Sequence, residues 1–286
     1  MKPVNFSKFS GAGNDFIVID NREKPIADAA MPDMAKKICK RKLSTGADGV
    51  IFIEHPLKNP ETEKDHVDFK WQFFNADGSR AEMCGNGARC AARFAYLKNM
   101  VELNMTFQTD AGMIRADILT ETNRVKVNMT DPKDLRPETV IETTQGKISV
   151  FSVNTGVPHV VIKVDDIENT DVKNLGREIR FHDAFAPAGT NVNFVMAKQN
   201  SIIFNRTYER GVEDETLACG TGCVASALCA AHHLGFQSPV TVRTRSGVDL
   251  AVHFAKHNNQ YADIYLEGDA RLIYNGTLCE DALHYA

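Results

Sequence analysis

A cysteine followed by a glycine-rich turn occurs twice in this chain of 286 residues, at matched positions in two segments. Residues 84–87 are Cys-Gly-Asn-Gly, and residues 219–222, which lie 135 positions later, are Cys-Gly-Thr-Gly. The same interval separates a threonine pair and a glycine pair further along the chain: Thr109 and Thr244, Gly112 and Gly247. This register indicates two homologous halves, so the fold must be one that the chain builds twice.

Each motif opens a run of alanine and other apolar residues, 88–97 in the first half and 224–234 in the second. Both runs predict a helix that begins directly after the cysteine. The second run is small or apolar on nearly every face until His232, which predicts a helix buried in a core. The first differs by Arg89 and Arg93, which are four apart, share one face and need a polar partner or water.

Composition bounds the class of protein. Hydrophobic residues make up 43% of the chain and charged residues 24%, as in ordinary globular proteins, and the length suffices for two domains. A net charge of −4 gives no support to nucleic-acid or acidic-membrane binding. No run approaches the ~18 apolar residues of a spanning helix, and seven cysteines, an odd number, argue against a secreted disulfide framework. We therefore expect a cytoplasmic protein.

Local patterns outline the elements between the motifs. A helix is predicted from Asp33 to about Leu43, and another near Asp171–Ile179. The polar segment His55–His66 predicts an exposed hairpin loop. Thr130–Gly146, with two prolines and many charges, is the best linker candidate. The tail beyond about Ala270 has no counterpart in the first half.

These observations predict an α+β fold of the α/β-roll type, with two pseudo-symmetric domains produced by an internal duplication. Each domain is expected to be a curved, mostly antiparallel sheet around a buried central helix. The predicted domains are residues 1–130 and 131–270, with residues 271–286 packing back on the first.

A cysteine at a helix N-terminus lies beside unpaired backbone N–H groups and a partial positive charge. This position predicts that the pKa of the thiol falls from ~8.5 toward neutrality. It also predicts an anion site on the adjacent N–H groups. Two such ends closing on one carboxylate suit removal of the neighbouring carbon's proton by one sulfur and its return to the opposite face by the other. Cys84 and Cys219 are thus the catalytic candidates, and the scheme needs neither metal nor pyridoxal phosphate.

Four further residues are candidates from position and chemistry. Asn75 and Arg210 each lie nine positions before the cysteine of their half, and Arg210 is suited to hold a carboxylate. His159 and Glu209 form a candidate charge pair that tunes the pKa of a thiol, although a structural role fits these two equally well.

Competing interpretations of the sequence are weaker. A zinc site needs paired cysteines or histidines, and Cys219-x-x-x-Cys223 is the nearest approach. Gly11-x-Gly13 is a fragment of a dinucleotide fingerprint without the helix that should follow. We therefore expect neither metal nor cofactor. The remaining cysteines are predicted to be small buried hydrophobes: Cys39, Cys90, Cys223, Cys229 and Cys279.

Longer motifs resemble the diaminopimelate epimerases over nearly the whole chain. They are FSGAGNDF (9–16), FFNADGSRAEMCGNGAR (73–89), Gly-x-Pro-His (156–159), GTNVNF (189–194) and YERGVEDETLACGTG (208–222). The resemblance implies a cofactor-independent isomerase that interconverts LL- and meso-2,6-diaminopimelate in lysine and peptidoglycan precursor biosynthesis. It implies Cys84 and Cys219 as the acid/base pair, and a homodimer.

The resemblance also implies roles for other residues. Those implied to contact substrate are Asn14, Asn75, Asn191, Glu209 and Arg210. Those implied to bind the reacting carboxylate are Gly85, Asn86, Gly220 and Thr221, while His159 and Glu209 modulate thiol acidity. Gly49 stands where many members have Gln, and Val157 where many have Asn, so substrate identity stays open at the distal end.

Two other functions remain open from the residues. One is a two-thiol racemase of the same fold that acts on a different amino acid. The other is a non-catalytic amino-acid binding protein in which both thiols are structural. Exchange of the Cα proton with solvent separates the second from any epimerase.

Overall fold

The chain has a mixed α+β architecture, as predicted, with 17 strands and four α-helices in the part that the computed structural model describes. The described residues are 3–23, 25–57, 66–198, 201–257 and 260–285. They fall into two compact units, residues 1–127 with 268–286, and residues 128–267. No described helix is long and apolar enough to cross a membrane.

The first unit contains the N-terminal strands and the C-terminal strand. Its strands are β1 (Val4–Gly11), β2 (Asn14–Asp20), β3 (Gly49–Glu54), β4 (Phe69–Asn75), β5 (Asn104–Thr109), β6 (Gly112–Leu119), β7 (Arg124–Asn128, which ends at the unit boundary) and β17 (Arg271–Leu278). Its helices are α1 (Met31–Ile38) and α2 (Gly85–Leu97), with short 3-10 helices at Asp28–Ala30 and Glu280–Ala282.

The second unit contains the strands from β8 to β16. They are β8 (Lys133–Thr143), β9 (Gly146–Asn154), β10 (Pro158–Lys163), β11 (Asn191–Lys198), β12 (Ile202–Glu209), β13 (Asp214–Thr216), β14 (Val240–Arg243), β15 (Asp249–His257) and β16 (Gln260–Asp269, which runs past the boundary). Its helices are α3 (Val172–Arg180) and α4 (Gly220–His233), with a 3-10 helix at Asp183–Phe185.

The two units repeat one strand order. In the first, β17, β1 and β2 are antiparallel, β2 and β3 parallel, β3 and β4 antiparallel, β4 and β5 parallel, and β5 to β7 antiparallel. In the second, β8, β9, β10, β11, β12, β14, β15 and β16 show the same sequence of pairings. Neighbouring parallel strands need a crossover connection, and each of the four crossover connections contains a helix. Helices α2 and α4 are therefore equivalent.

Both cysteine helices are buried, as predicted. Residues Gly222 to Ala231 of α4 are buried without interruption, and this helix contacts β9 to β12, β14 and β15. Helix α2 contacts β1, β2, β3 and β6 and buries most of its residues, Arg89 among them. The two arginines of this helix find their polar partners in the backbone directly before β17. Arg89 donates to the Asp269 carbonyl (3.3 Å) and Arg93 to the Ala270 carbonyl (2.6 Å).

The predicted linker is wrong, because most of Thr130–Gly146 is strand β8, which pairs with β9. Its polarity reflects a strand that is exposed along much of its length, and its register shifts on either side of Arg136 accommodate Pro137. The segment equivalent to the tail beyond about Ala270 is β8, which lies in the second unit and not in the first half of the chain. Strand β17 pairs with β1 as β8 pairs with β9, so the two segments are equivalent.

The predicted boundaries of the other helices are partly right. Helix α1 begins at Met31 and ends at Ile38, earlier than the predicted Asp33–Leu43, because the chain turns after Cys39 and the N–H of Ala47 donates back to the Cys39 carbonyl. Helix α3 is confirmed, with Asp171 as its N-cap. Strands β3 and β4 form the predicted hairpin, but residues 58–65 of its loop lie outside the described residues.

Candidate active site

In the first unit, Cys84 is the N-cap of α2, as predicted. Its backbone is extended and its half-buried sulfur accepts a hydrogen bond from the N–H of Gly87 (3.5 Å). The helix start lies directly on the sheet, since a Cβ at Gly87 would stand 3.3 Å from Ile51 Cδ1 and 3.5 Å from a ring carbon of Phe16. Glycine therefore allows the sulfur and the first turn to approach β2 and β3.

Asn14, at the start of β2, contacts this sulfur. Cys84 Sγ donates to Asn14 Oδ1 at 3.7 Å, and Asn86 Nδ2 donates to the same oxygen at 3.5 Å. The orientation of the Asn14 amide is fixed from its other side, because Nδ2 donates to the Asp48 carboxylate (2.6 Å), which accepts only. The amide oxygen, an acceptor, therefore faces Cys84.

Buried Arg89 supports the same turn from inside the unit. Its guanidinium donates to Asn86 Oδ1 (2.8 Å) and to the Gly85 carbonyl (3.2 Å). The oxygen of the Asn86 amide is thus held inward and its NH₂ group is directed to Asn14. Asn75, at the end of β4, is exposed and donates to Ser79 Oγ (3.0 Å).

In the second unit, Cys219 is the N-cap of α4, at the equivalent position. The residue is only 7% exposed, and its sulfur lies 3.5 Å from Thr221 Oγ1 and near the N–H of Gly222. The first turn of α4 therefore surrounds this sulfur as the first turn of α2 surrounds Cys84.

The predicted fall in thiol pKa is wrong for Cys219. Burial raises the pKa of this thiol well above its usual range, and the negative charge of Glu209 adds to the effect. The Thr221 hydroxyl and the Gly222 N–H act in the opposite direction but do not outweigh desolvation. At this buried helix end, removing the thiolate from water costs more than these two hydrogen bonds return.

His159, the second residue of β10, is buried and neutral. Its Nε2 lies 2.9 Å from Thr221 Oγ1, and its Nδ1 lies 3.1 Å from Asn193 Nδ2. Burial, with a smaller contribution from the charge of Arg210, lowers the pKa of this imidazole to about 3. The predicted charge pair with Glu209 is therefore wrong, because the histidine stays uncharged at neutral pH.

Glu209, at the end of β12, is the acidic group near Cys219. Burial raises the pKa of its carboxyl group, and the hydroxyl of Thr216 offsets part of this by donating to Oε2 (2.9 Å). A carboxyl group whose pKa is raised by burial and which adjoins a thiol is a common feature of acid/base sites.

Asn191, at the start of β11, is hydrogen-bonded to Arg210, which directly follows β12. Asn191 Oδ1 accepts the backbone N–H of Arg210 (2.8 Å), and its Nδ2 donates to the Pro158 carbonyl (3.0 Å). The half-buried guanidinium of Arg210 donates to the Ala188 carbonyl (3.1 Å). The loop before β11 and the end of β12 are thereby joined beside Cys219.

Each unit thus gathers predicted residues around its own cysteine, and we call each group a half-site, whereas Asn75 contacts Ser79. Around Cys84 these are Gly85, Asn86 and Asn14; around Cys219 they are Gly220, Thr221, His159, Glu209, Asn191 and Arg210. Asn193, which contacts His159 and is fully buried, was not among the predicted site residues. Its signal was an amide two positions after Asn191, in the middle of an otherwise apolar strand.

At position 49 the structure has no room for a side chain larger than that of glycine. A Cβ at Gly49 would stand 2.5 Å from Phe73 Cε2 and 2.8 Å from the Phe74 carbonyl oxygen, so the Phe73 ring excludes a side chain at this position.

Four of the five remaining cysteines are buried as predicted. Cys279 is exposed, contrary to the prediction, because it follows the last residue of β17. Among the described residues, no three His, Cys, Asp or Glu side chains are grouped to hold a metal ion.

Solved structures of low sequence identity share this fold. A phenazine biosynthesis protein of the PhzF family from Bacillus anthracis superposes with a TM-score of 0.75 at 14% identity, covering 98% of this chain and 100% of that one. A hydroxyproline epimerase from Agrobacterium vitis gives a TM-score of 0.69 at 15% identity, covering 98% and 93%.

Sequence comparison identifies relatives of the full chain. The chain is 44% identical to the diaminopimelate epimerase of Aquifex aeolicus over 99% of its own length and 100% of that protein. It is 39% identical to that of Methanocella arvoryzae over 98% and 99%. The family model described as diaminopimelate epimerase matches residues 6–135 and 151–273. The resemblance inferred from the motifs is confirmed, and the chain belongs to the diaminopimelate epimerase family.

Proposed function

We propose that the chain interconverts LL- and meso-2,6-diaminopimelate by a two-base mechanism without cofactor, in lysine and peptidoglycan precursor biosynthesis. The observation that carries this proposal is the repeated N-cap cysteine. In a chain of the diaminopimelate epimerase family, each unit has one thiol at the first turn of its buried central helix.

In this mechanism both thiols serve one substrate. The carboxylate next to the reacting carbon binds the N–H groups of Gly85-Asn86 and Gly220-Thr221, where helix ends favour negative charge. One of Cys84 and Cys219 removes the Cα proton as a thiolate, and the other returns a proton to the opposite face as a thiol. The helix ends stabilise the charge that develops on the carboxylate during transfer.

The contacts of the two half-sites suggest how substrate is held. Asn14 carries an amide next to the sulfur of Cys84, Asn191 accepts the backbone N–H of Arg210, and Asn75, Glu209 and Arg210 lie at or directly after strand ends. We assign these five residues to substrate binding. Arg210 is suited to a carboxylate, because a guanidinium matches its geometry with two donors.

The proposal is tested by turnover. Purified protein should convert LL-diaminopimelate to the meso isomer without added metal or pyridoxal phosphate. A Cys279→Ser variant is the matched control, since its thiol is exposed and remote in sequence from both motifs, and it should turn over like the wild type. Absence of turnover would reject the substrate. Turnover of another amino acid in a panel would identify a different racemase, and absence of Cα–H exchange with all of them would indicate a binding protein.

We propose further that the protein is a cytoplasmic homodimer. All seven cysteines are free, as suits a reducing compartment. Strand β17 exposes three consecutive apolar side chains, Leu272, Ile273 and Tyr274, and an exposed apolar strand is an association surface. Light scattering of the wild type should give twice the chain mass, and Ile273→Lys should shift the protein toward the monomer. A wild-type monomer at micromolar concentration would contradict the dimer.

A further inference from the structure

A chain of hydrogen-bonded polar side chains in the second unit ends at the sulfur of Cys219. Five of the six side chains are buried, and Thr221 is half-buried. The links are Ser226 Oγ to Asn205 Oδ1 (3.1 Å), Asn205 Nδ2 to Thr207 Oγ1 (3.2 Å), Thr207 Oγ1 to Asn193 Oδ1 (2.9 Å), Asn193 Nδ2 to His159 Nδ1 (3.1 Å), His159 Nε2 to Thr221 Oγ1 (2.9 Å) and Thr221 Oγ1 to Cys219 Sγ (3.5 Å).

The direction of this chain is determined at Asn193. Its Nδ2 lies 2.9 Å from the carbonyl oxygen of Val160, which accepts only, so this end of the amide must be the NH₂ group. The same NH₂ group faces His159 Nδ1, which must therefore accept. A neutral imidazole carries one proton, and on His159 that proton is consequently on Nε2.

The proton on Nε2 determines the role of Thr221. Because His159 donates to Thr221 Oγ1, the single hydroxyl proton of Thr221 is available to be donated to Cys219 Sγ, 3.5 Å away. A donor of this kind stabilises a thiolate more than a thiol. It opposes burial and the charge of Glu209, which act against the thiolate.

We propose that Asn193 is a positioning residue for the epimerisation proposed above: it holds His159 in the Nε2–H tautomer, so that Thr221 donates its hydroxyl proton to the sulfur of Cys219. The start of α4 is built around this amide. A Cβ at Gly222 would stand 2.3 Å from Asn193 Oδ1 and 3.3 Å from Thr207 Oγ1. The hydrogen-bond chain stabilises the Cys219 thiolate each time this residue gives up its proton.

The tautomer is measured without reference to activity. In ¹⁵N-histidine-labelled protein, with the His159 signals assigned by comparison with His159→Gln, the wild type should show a neutral ring protonated on Nε2 from pH 6 to 9. Asn193→Asp places an acceptor beside Nδ1 and should move the proton to Nδ1. Asn193→Ala, a second variant that buries no charge, should leave a mixture of tautomers. Asn205→Ala is the matched control, since it removes a buried amide two links away and should leave the His159 signals unchanged.

A wild-type ring protonated on Nδ1, or on both nitrogens, would overturn the proposal. An unchanged Nε2–H ring in both Asn193 variants would overturn it as well. Because these signals do not depend on turnover, failure of the proposed reaction and failure of the tautomer assignment are separate results.

The kinetic consequence concerns kcat rather than KM. Losing a hydrogen bond to a charged sulfur should lower kcat of Asn193→Ala on the order of tenfold to a hundredfold, with little change in KM. The limb of the pH profile that reports Cys219 should move up by about one unit. The titratable groups around this sulfur are Glu209, Cys223 and His159, with Arg210 beside the histidine.

Thr221 gives the rescue experiment. Thr221→Val removes the hydroxyl while keeping the shape, and it should show the same loss in kcat and the same shift of the pH profile as Asn193→Ala. Thr221→Ser keeps the donor and should restore both. Equal kcat and pH profile for the Val and Ser variants would overturn the role of the hydroxyl, and an unshifted profile in Asn193→Ala would reduce Asn193 to a packing residue.

Discussion

The two cysteine half-sites share a scaffold and differ in the polar groups that face the sulfur. In both units the cysteine caps the central helix, and a glycine three positions later brings the helix onto the sheet. Cys84 is half-buried and donates to an amide oxygen of Asn14, whereas Cys219 is buried and meets the hydroxyl of Thr221 at the end of a donating chain. An acceptor favours the protonated thiol and a donor favours the thiolate.

This difference shows what duplication preserves and what it leaves free. The helix N-terminus is a property of the backbone, so both copies keep it. The side chains around each sulfur differ between the copies: Asn86 in the first turn of α2 corresponds to Thr221 in the first turn of α4, so each copy has its own hydrogen-bond partners. Such a difference suits the proposed reaction, in which one sulfur gives a proton while the other takes one.

The largest effect is expected when either of the two cysteines, Cys84 or Cys219, is replaced. Cys84→Ala and Cys219→Ala should each lower epimerisation by about a thousandfold or more, since general acid/base groups contribute 10²–10⁴ each. Both variants should keep the far-ultraviolet circular dichroism of the wild type, because only one sulfur is removed. Near wild-type turnover in either variant would mean that one sulfur is enough.

The next largest effect is expected on stability, from substitutions at equivalent buried positions of α2 and α4. Arg89 and Val224 are equivalent positions, 135 residues apart, and both are buried. Arg89→Met should lower the free energy of unfolding by about 4 kcal/mol, since it leaves the Asn86 side-chain oxygen and two backbone carbonyls without this donor. The matched Val224→Ala should cost about 2 kcal/mol, the loss of two methyl groups. Urea denaturation measures both, and equal losses would show that Arg89 contributes only volume.

A smaller effect on stability is expected from replacing the two glycines that face the sheet. A Cβ at position 222 would stand 2.3 Å from a fixed amide oxygen, whereas a Cβ at position 87 first meets Ile51 Cδ1 at 3.3 Å. Gly222→Ala should therefore destabilise the protein by about 3 kcal/mol and Gly87→Ala by less than about 1 kcal/mol, because an isoleucine methyl group yields and the amide does not. Thermal and urea unfolding of the pair check this order, and the reverse order would contradict the packing of α4 on Asn193.

The smallest effect is the pH dependence that His159 gives to the stability of the second unit. The pKa of His159 falls from 6.5 to about 3 on folding, so below pH 6.5 the unfolded chain binds a proton that the folded chain does not. The free energy of unfolding therefore decreases as pH falls, by about 2 kcal/mol from this residue at pH 5. His159→Gln should flatten the profile between pH 7 and 5 by that amount. Parallel profiles for the two proteins would show that the histidine is protonated when folded.

The fold could be predicted from the sequence where a repeated motif or an uninterrupted apolar run indicates it. The register of the two motifs predicted the duplication, and the uninterrupted apolar run of α4 predicted a buried helix. Strand β8 was mistaken for a linker because most of its exposed residues are charged and because it contains Pro137. Its equivalence to β17 depends on pairing between distant segments, which local sequence does not encode.

The site was predictable as a set of residues and less so as chemistry. The sequence places Cys219 at a helix end, which favours the thiolate, but it contains no measure of the burial that reverses the shift. His159 was assigned a charge for the same reason. The role of Asn193 depends on the Val160 carbonyl beside it, a contact that follows only from the parallel pairing of β10 with β11.

The central claim is that two sulfurs act on one carbon from opposite faces, and the position of solvent deuterium tests it most directly. Wild-type protein would be mixed with LL-diaminopimelate in deuterated water and sampled at low conversion. If one sulfur removes the proton and the other delivers a solvent-exchanged deuteron, the meso product should carry one deuterium at the inverted carbon while recovered substrate carries none. Deuterium in recovered substrate at the same initial rate as in product would mean that a single base serves both faces, and it would contradict the account.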